Sequence, residues 1–230
     1  MILYCNSDSY GVMSTTKNRY GEFLADKLNA RLINNGISGS CNKRIVRNSL
    51  RDLIQLKNQT TEKILAVICL GALNRSEWWD LDYVPSDNDT DGHFRSFTIR
   101  GVKPTQVHYK HSQEWFKIYN DEAEQTNLFV DLVMLTNWLK SSDIDYIIFA
   151  GNTITYQKIA YDDIFIKSFS DIILADQYIL NINNFSFATF CIEKGHVPFD
   201  YNLYNIHGHH GELAHKEFAD FLLEFYNTHI

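Results

Sequence analysis

No stretch of this sequence approaches the roughly 18 consecutive apolar residues that a membrane span requires. A basic leader followed by an apolar core is missing from its N-terminus as well. The expectation is a soluble, cytoplasmic protein with no membrane partner. Positive charge is in short supply too. Lys and Arg number 21 against 28 Asp and Glu, for a formal net charge of -7. Nucleic-acid binding leans on clustered Lys and Arg, so a nucleic-acid partner is not expected. Cys5, Cys41, Cys69 and Cys191 stand far apart with no Cys-x-x-Cys pair, which leaves zinc ribbons and redox motifs unsupported. Apolar neighbours at three of the four point to buried free thiols rather than disulfides. Repeats, low-complexity tracts and linkers are absent. What is present, 45% hydrophobic and 14% aromatic residues over 230 positions, suits one globular domain spanning 1–230.

Patterning along the chain alternates strand and helix. Met1 to Cys5 reads as a buried strand, and Asn18 to Leu28 as a helix with Tyr20, Phe23, Leu24 and Leu28 on one face. "ARLINNG" is a second strand; a Gly/Ser turn then leads into a helix whose Ile45, Ser49, Leu53 and Leu56 line one side. "KILAVICLG" and, later, "IDYIIFAG" are continuous apolar runs that fit strands buried on both faces. Between them, a long helix is expected from Asp121 to Lys140. The polar, aromatic and turn-rich residues 80–120 read as an insertion over the sheet edge, and 151–200 are only weakly periodic. Glu212 to Tyr226 closes the chain as an amphipathic helix with Leu213, Phe218, Phe221, Leu222 and Phe225 on its apolar face. Such alternation predicts an α/β fold with a mostly parallel sheet and right-handed crossovers.

Ligands collect at the carboxyl ends of the strands in an open parallel sheet. Three polar stretches fall there: "NSDSYG", "NNGISGS" and "LGALNRSEWW". A fourth, "NIHGHHGELAH", precedes the closing helix. Together they hold a nucleophile, amide donors for an oxyanion and a base.

In these blocks the chain resembles the SGNH, or GDSL-like, hydrolases, and in its "GSCNKRIVRNS" turn their phage-associated and environmental members. Ser7-Asp8-Ser9 is similar to the Gly-Asp-Ser nucleophile turn with Ser for Gly. "NGISG" matches the second block, with Gly39 at the oxyanion position. "LGALNRSEWW" stands where Gly-x-Asn-Asp is expected, with one extra residue before Asn74 and Arg75 replacing the acid. "GHHGELAHKEFADFL" is similar to the closing block, with His209 and His215 six residues apart.

The resemblance implies a three-layer α/β/α sandwich of flavodoxin-like type and ester hydrolysis through a serine acyl-enzyme, with no metal or other cofactor. By it, Ser9 attacks and His209 is the base. The Ser9 and Gly39 N-H groups and the Asn74 side chain hold the oxyanion. Apart from the resemblance, Arg75 in that block and Trp78 directly after it are candidates to line the substrate, Trp78 by stacking on a sugar ring. The family's acid lies two or three residues before the histidine, where this chain has His207 and Ile206. Asp200, the nearest upstream carboxylate, and a Ser-His dyad helped by a backbone carbonyl are the two alternatives. The implied substrate is a small-molecule or carbohydrate ester, an O-acetyl sugar in particular. An acyltransferase using the same serine, and a non-catalytic carbohydrate-binding or virion-associated relative, remain as rivals.

Blander readings compete with each of these. Ser9 could cap a helix, Gly39 could serve only a positive φ, and Asn74 and Arg75 could cap a following helix or pair with Glu77. The His207, His209 and His210 cluster invites a metal but lacks an accompanying carboxylate at a familiar spacing. Asp87, Asp89 and Asp91 followed by Gly92 reproduce half of a calcium loop, yet Thr98 occupies the position of the bidentate Glu.

Overall fold

The computed structural model describes residues 1–12, 14, 15, 17–79, 94–98, 109–152, 164–199 and 208–230. Four parallel strands make the main sheet: β1 (Ile2–Asn6), β2 (Arg31–Asn34), β3 (Ile64–Leu70) and β6 (Asp145–Ala150), in the order β2-β1-β3-β6. Beyond β6 the position of a fifth strand is marked by two parallel bridges, Ile148 to Ile179 and Ala150 to Ser186. The expected three-layer α/β arrangement with a mostly parallel sheet is observed.

Strand periodicity explains the layers. Successive side chains of a strand point to opposite faces, so a strand buried on both sides is apolar throughout. In β1, Ile2 and Tyr4 enter one core while Leu3 and Cys5 enter the other; in β3, Ile64, Ala66, Ile68 and Leu70 separate from Leu65, Val67 and Cys69 in the same way. The first core is closed by α2 (Asn42–Gln59), α4 (Asp121–Ser141) and α5 (Ile164–Ala175). The second is closed by α1 (Tyr20–Leu28), α6 (Phe187–Glu193) and α7 (Glu212–His229). All four cysteines are buried free thiols.

Two expectations need correction. The stretch after β3 does not cap a helix: Arg75 opens a strand, β4 (Arg75–Trp79), which pairs antiparallel with β5 (Phe94–Thr98) in a separate two-stranded sheet. Glu77 pairs with Arg47 of α2, whose guanidinium also lies 4.0 Å from the centre of the Phe94 ring, so the hairpin packs on α2. It is followed by α3 (Tyr109–Ile118), and residues 80–93 and 99–108 of the expected insertion lie outside the described residues. Leu213, assigned to the apolar face of the last helix, is 60% exposed. Five residues before Phe218, it points about 140° away from that ring around the helix, while its neighbours Ala214 and His215 take the buried side. Among the described residues, no helix is long and apolar enough to cross a membrane.

Phe218 anchors the second core, with ring centres 5.0, 4.9 and 5.1 Å from those of Phe149, Phe187 and Phe190. Phe218→Ala should lower the unfolding free energy by about 3–5 kcal/mol in urea titrations, while Leu213→Ala stays within about 0.5 kcal/mol of the parent.

Candidate active site

The site begins where β1 runs out of apolar residues. Asn6, fully buried, donates through Nδ2 to Ile45 O (3.1 Å) and Ser49 Oγ (3.0 Å) of α2 and accepts from Ser7 N (2.9 Å). The strand is thereby stopped against the helix. Asp8 Oδ1 then accepts from Tyr10 N (3.0 Å), and Ser9–Gly11 form one 3-10 turn. Gly11 is required by space. A Cβ there would overlap Ser7 Oγ and come within 2.6 Å of Tyr20 Oη. Ser9 itself is buried, at 4% exposure.

Arg75 ties those strand ends together. Its Nη1 donates to Asp8 Oδ2 (2.6 Å) and to Ser40 O (3.3 Å). Asp8 is fully buried, and burial pushes its carboxyl pKa up while the Arg75 guanidinium pulls it back. Gly71, the residue after β3, sits against both partners: a Cβ there would lie 2.9 Å from Ser40 O and 3.3 Å from Asp8 Oδ2. Asn42, at the start of α2, brackets the same glycine by accepting from its N-H (2.8 Å) and donating to its carbonyl (3.3 Å).

Gly39 occupies the turn after β2 with φ +84, and the space where its Cβ would stand is open. The turn is fixed at both ends, since Ile37 N donates to Ser7 O (3.0 Å) and Ser40 Oγ donates to Ile37 O (2.6 Å). Arg44 Nη1 holds that Ser40 hydroxyl in turn (3.1 Å). Among the described residues, the N-H groups of Ser9 and Gly39 make no hydrogen bond. Asn74 lies half-buried in the turn that leads into β4.

From the other end of the chain, His209 reaches the same region. Its ring centre is 5.5 Å from that of Tyr10, the residue after Ser9, and it is near enough that a charged imidazole would lower the pKa of Asp8. Phe199 stacks on its outer side at 6.1 Å and donates its backbone N-H to His209 O (2.8 Å). Tyr10 also rests on Gly151 at the end of β6, where a Cβ would come within 2.6 Å of its ring, and accepts from Asn152 Nδ2 (3.4 Å). Burial, with the nearby Asp8 carboxylate, pushes the Tyr10 pKa up to about 12, so the ring acts as a neutral wall.

Of the residues singled out by sequence, Ser9, Gly39, Arg75 and His209 therefore meet at one end of the sheet. The Trp78 backbone lies in β4 opposite Arg95. Asp200, His207 and the Asp87, Asp89 and Asp91 loop lie outside the described residues. His215 is buried, accepting from Tyr20 N at the start of α1 through Nδ1 (3.3 Å) and stacking on Phe187 (4.8 Å). His210 is also buried, facing the edge of Phe187. No group of three His, Cys, Asp or Glu side chains is arranged to hold a metal among the described residues. Tyr10, Asn42, Gly71 and Gly151 were not singled out by sequence. Only the glycine stops after the third strand and after "IDYIIFA" hinted at them.

No protein-family model matches the chain, and no curated protein matches its sequence. Solved structures match its fold over nearly the full length. A G-D-S-L family lipolytic protein from Veillonella parvula is similar at TM-score 0.53 and 13% identity, covering 99% of this chain and 98% of its own. The psychrotrophic esterase EstA from Pseudoalteromonas sp. is similar at 0.50 and 16%, covering 99% and 97%. A G-D-S-L family protein from Desulfitobacterium hafniense stands at 0.50 and 12%, covering 97% and 98%. The chain has the fold of the SGNH hydrolases. The likeness to phage-associated members finds no support in these three.

The Asp8-Arg75 pair generates a test. Breaking a buried ion pair strands the remaining charge, so Arg75→Met should destabilise the protein toward the lower end of about 3–5 kcal/mol, Arg75 being partly open to solvent. Asp8→Leu combined with Arg75→Met should recover at least half of that loss in a urea double-mutant cycle.

Proposed function

We propose that the protein is an SGNH-type serine esterase, with residues 1–230 forming one hydrolase domain. The observation that carries this reading is the meeting of the Ser9 turn, the Gly39 turn and His209 at one end of the sheet, linked by the Ile37 to Ser7 hydrogen bond and the Tyr10 to His209 ring contact. The backbone N-H groups of Ser9 and Gly39, which make no hydrogen bond among the described residues, are the kind of donors an oxyanion needs. EstA, which shares the fold, is an esterase inhibited by monoethylphosphonate, a behaviour that fits a nucleophilic serine.

In this scheme His209 takes the Ser9 hydroxyl proton as Oγ attacks the ester carbonyl carbon. The carbonyl oxygen becomes an oxyanion held by the Ser9 and Gly39 N-H groups and the Asn74 side-chain amide. Collapse breaks the ester C-O bond, and His209 returns the proton to the departing alcohol. Water, deprotonated by His209, then attacks the acyl-enzyme; the acid leaves and Ser9 recovers its proton. In this scheme Arg75 is a positioning residue. It fixes the Asp8 carboxylate that caps the Ser9 turn and the Ser40 carbonyl next to Gly39. Asp200, or a backbone carbonyl, would orient the imidazole. The acyl group proposed is acetyl on a carbohydrate, a choice that rests on the family resemblance in the chain's motifs.

A non-catalytic relative is the second reading, favoured by the absence of a carboxylate two or three residues before His209. Turnover of p-nitrophenyl acetate and acetate release from acetylated xylan separate the two. Esterase activity should fall by about 10^4-fold or more in Ser9→Ala and in His209→Ala, and by about 10^2- to 10^3-fold in kcat for Asn74→Ala, with thermal midpoints held within a few degrees. A parent protein with no turnover on any ester, or variants as active as the parent, would favour the non-catalytic reading.

A further inference from the structure

On the face of the second core, away from the strand ends, α6 and α7 leave a cleft of about 440 Å³. Its floor is aromatic. Phe185 stacks on Phe221 with ring centres 5.2 Å apart, and Phe190 leans on Phe221 at 5.4 Å. Its rim is acidic, with Glu217, Asp220 and Glu224 following one stripe of α7 and Glu193 across from them at the end of α6. None of these residues belongs to the Ser9, Gly39, Arg75 and His209 cluster.

Four carboxylates around the half-buried Phe185 and Phe221 rings favour an occupant that is both cationic and apolar. The molecule already places a cation there: Lys194 Nζ stands 5.8 Å above the centre of the Phe190 ring, an attraction between an ammonium and an aromatic face. Spacing then decides between a small amine and a chain. Glu217 and Glu224 are two turns apart, about 10 Å along the helix axis, so one ammonium cannot serve both. The repeat 217, 220, 224 instead matches cations three and four residues apart on a facing helix. Existing partners are exchangeable, since Lys27 on Asp220 (2.5 Å) and His196 on Glu217 (3.0 Å) form pairs with half-exposed carboxylates.

We propose that this cleft is a docking site for a basic amphipathic helical segment of a partner protein. Its apolar side chains would lie on Phe185, Phe190 and Phe221, and its Lys or Arg side chains on the acidic stripe of α7.

Fluorescence anisotropy with a labelled helical peptide of leucine and lysine, lysines at three- and four-residue spacing, tests this on the full chain. Saturable binding is expected, weakening as salt rises and lost when the peptide's lysines become glutamate or its leucines become glutamine. Glu193→Gln with Glu224→Gln should weaken it by about fivefold or more, whereas Glu114→Gln with Glu122→Gln, the same charge change away from the cleft, should leave it within about twofold. No saturable binding would overturn the proposal. So would equal loss in both double variants, which would mean that the net charge of -7 attracts the peptide without a site. Sedimentation that reveals a dimer broken only by the cleft variant would assign the surface to a second copy of the chain and also refute it. Esterase activity is unaffected in every case, so the outcome is independent of the proposed hydrolysis.

Discussion

A single arginine holds the business end of this fold in register. Arg75 emerges from the turn after β3 and reaches a buried carboxylate on the turn after β1 and a carbonyl on the turn after β2. Parallel strands deliver their carboxyl ends to one edge, but nothing in a parallel ladder fixes the loops that leave it. The Asp8-Arg75 pair supplies that constraint where the G-D-S-L pattern would put an acid after the asparagine. An ion pair this buried contributes more to geometry than to net stability, because desolvation offsets most of the attraction. The surrounding hydrogen bonds, Tyr10 N to Asp8 and Arg44 to the Ser40 hydroxyl, turn one contact into a network that spans three strand ends.

Around that network the close contacts are made by residues without side chains. Gly11 lets Ser7 and Tyr20 approach the Ser9 turn, Gly71 lets Asp8 and Ser40 meet over the end of β3, and Gly151 receives the Tyr10 ring. Tyr10 thereby links the first loop to the end of β6 and to His209 beside α7. Loops two hundred positions apart become neighbours through one aromatic side chain.

Much of this was legible in the sequence, for physical reasons that differ by element. β1, β3 and β6 are buried on both faces, so their continuous apolar runs announce them; α2 carries a clear helical period, with Ile45, Leu53 and Leu56 on its buried side. The hairpin of β4 and β5 was not legible. "RSEWW" and "FRSFT" are short, polar and aromatic, and packing on Arg47 rather than a local pattern makes them strands. Ser9, Gly39 and His209 were singled out because each sits in a recognisable local block. The Asp8-Arg75 pair was not, because its members are 67 residues apart and the contact exists only after three strands align. Arg75 was read as a substrate ligand; its guanidinium is turned instead to the protein's own carboxylate and carbonyl.

The central claim is that these loops enclose an activated serine, and covalent labelling interrogates it most directly. After treatment with a fluorophosphonate, peptide mapping by mass spectrometry should find one adduct per chain, on Ser9, and none when His209 is replaced by alanine. A parent protein that stays unlabelled, or carries the adduct on another serine, would contradict the account.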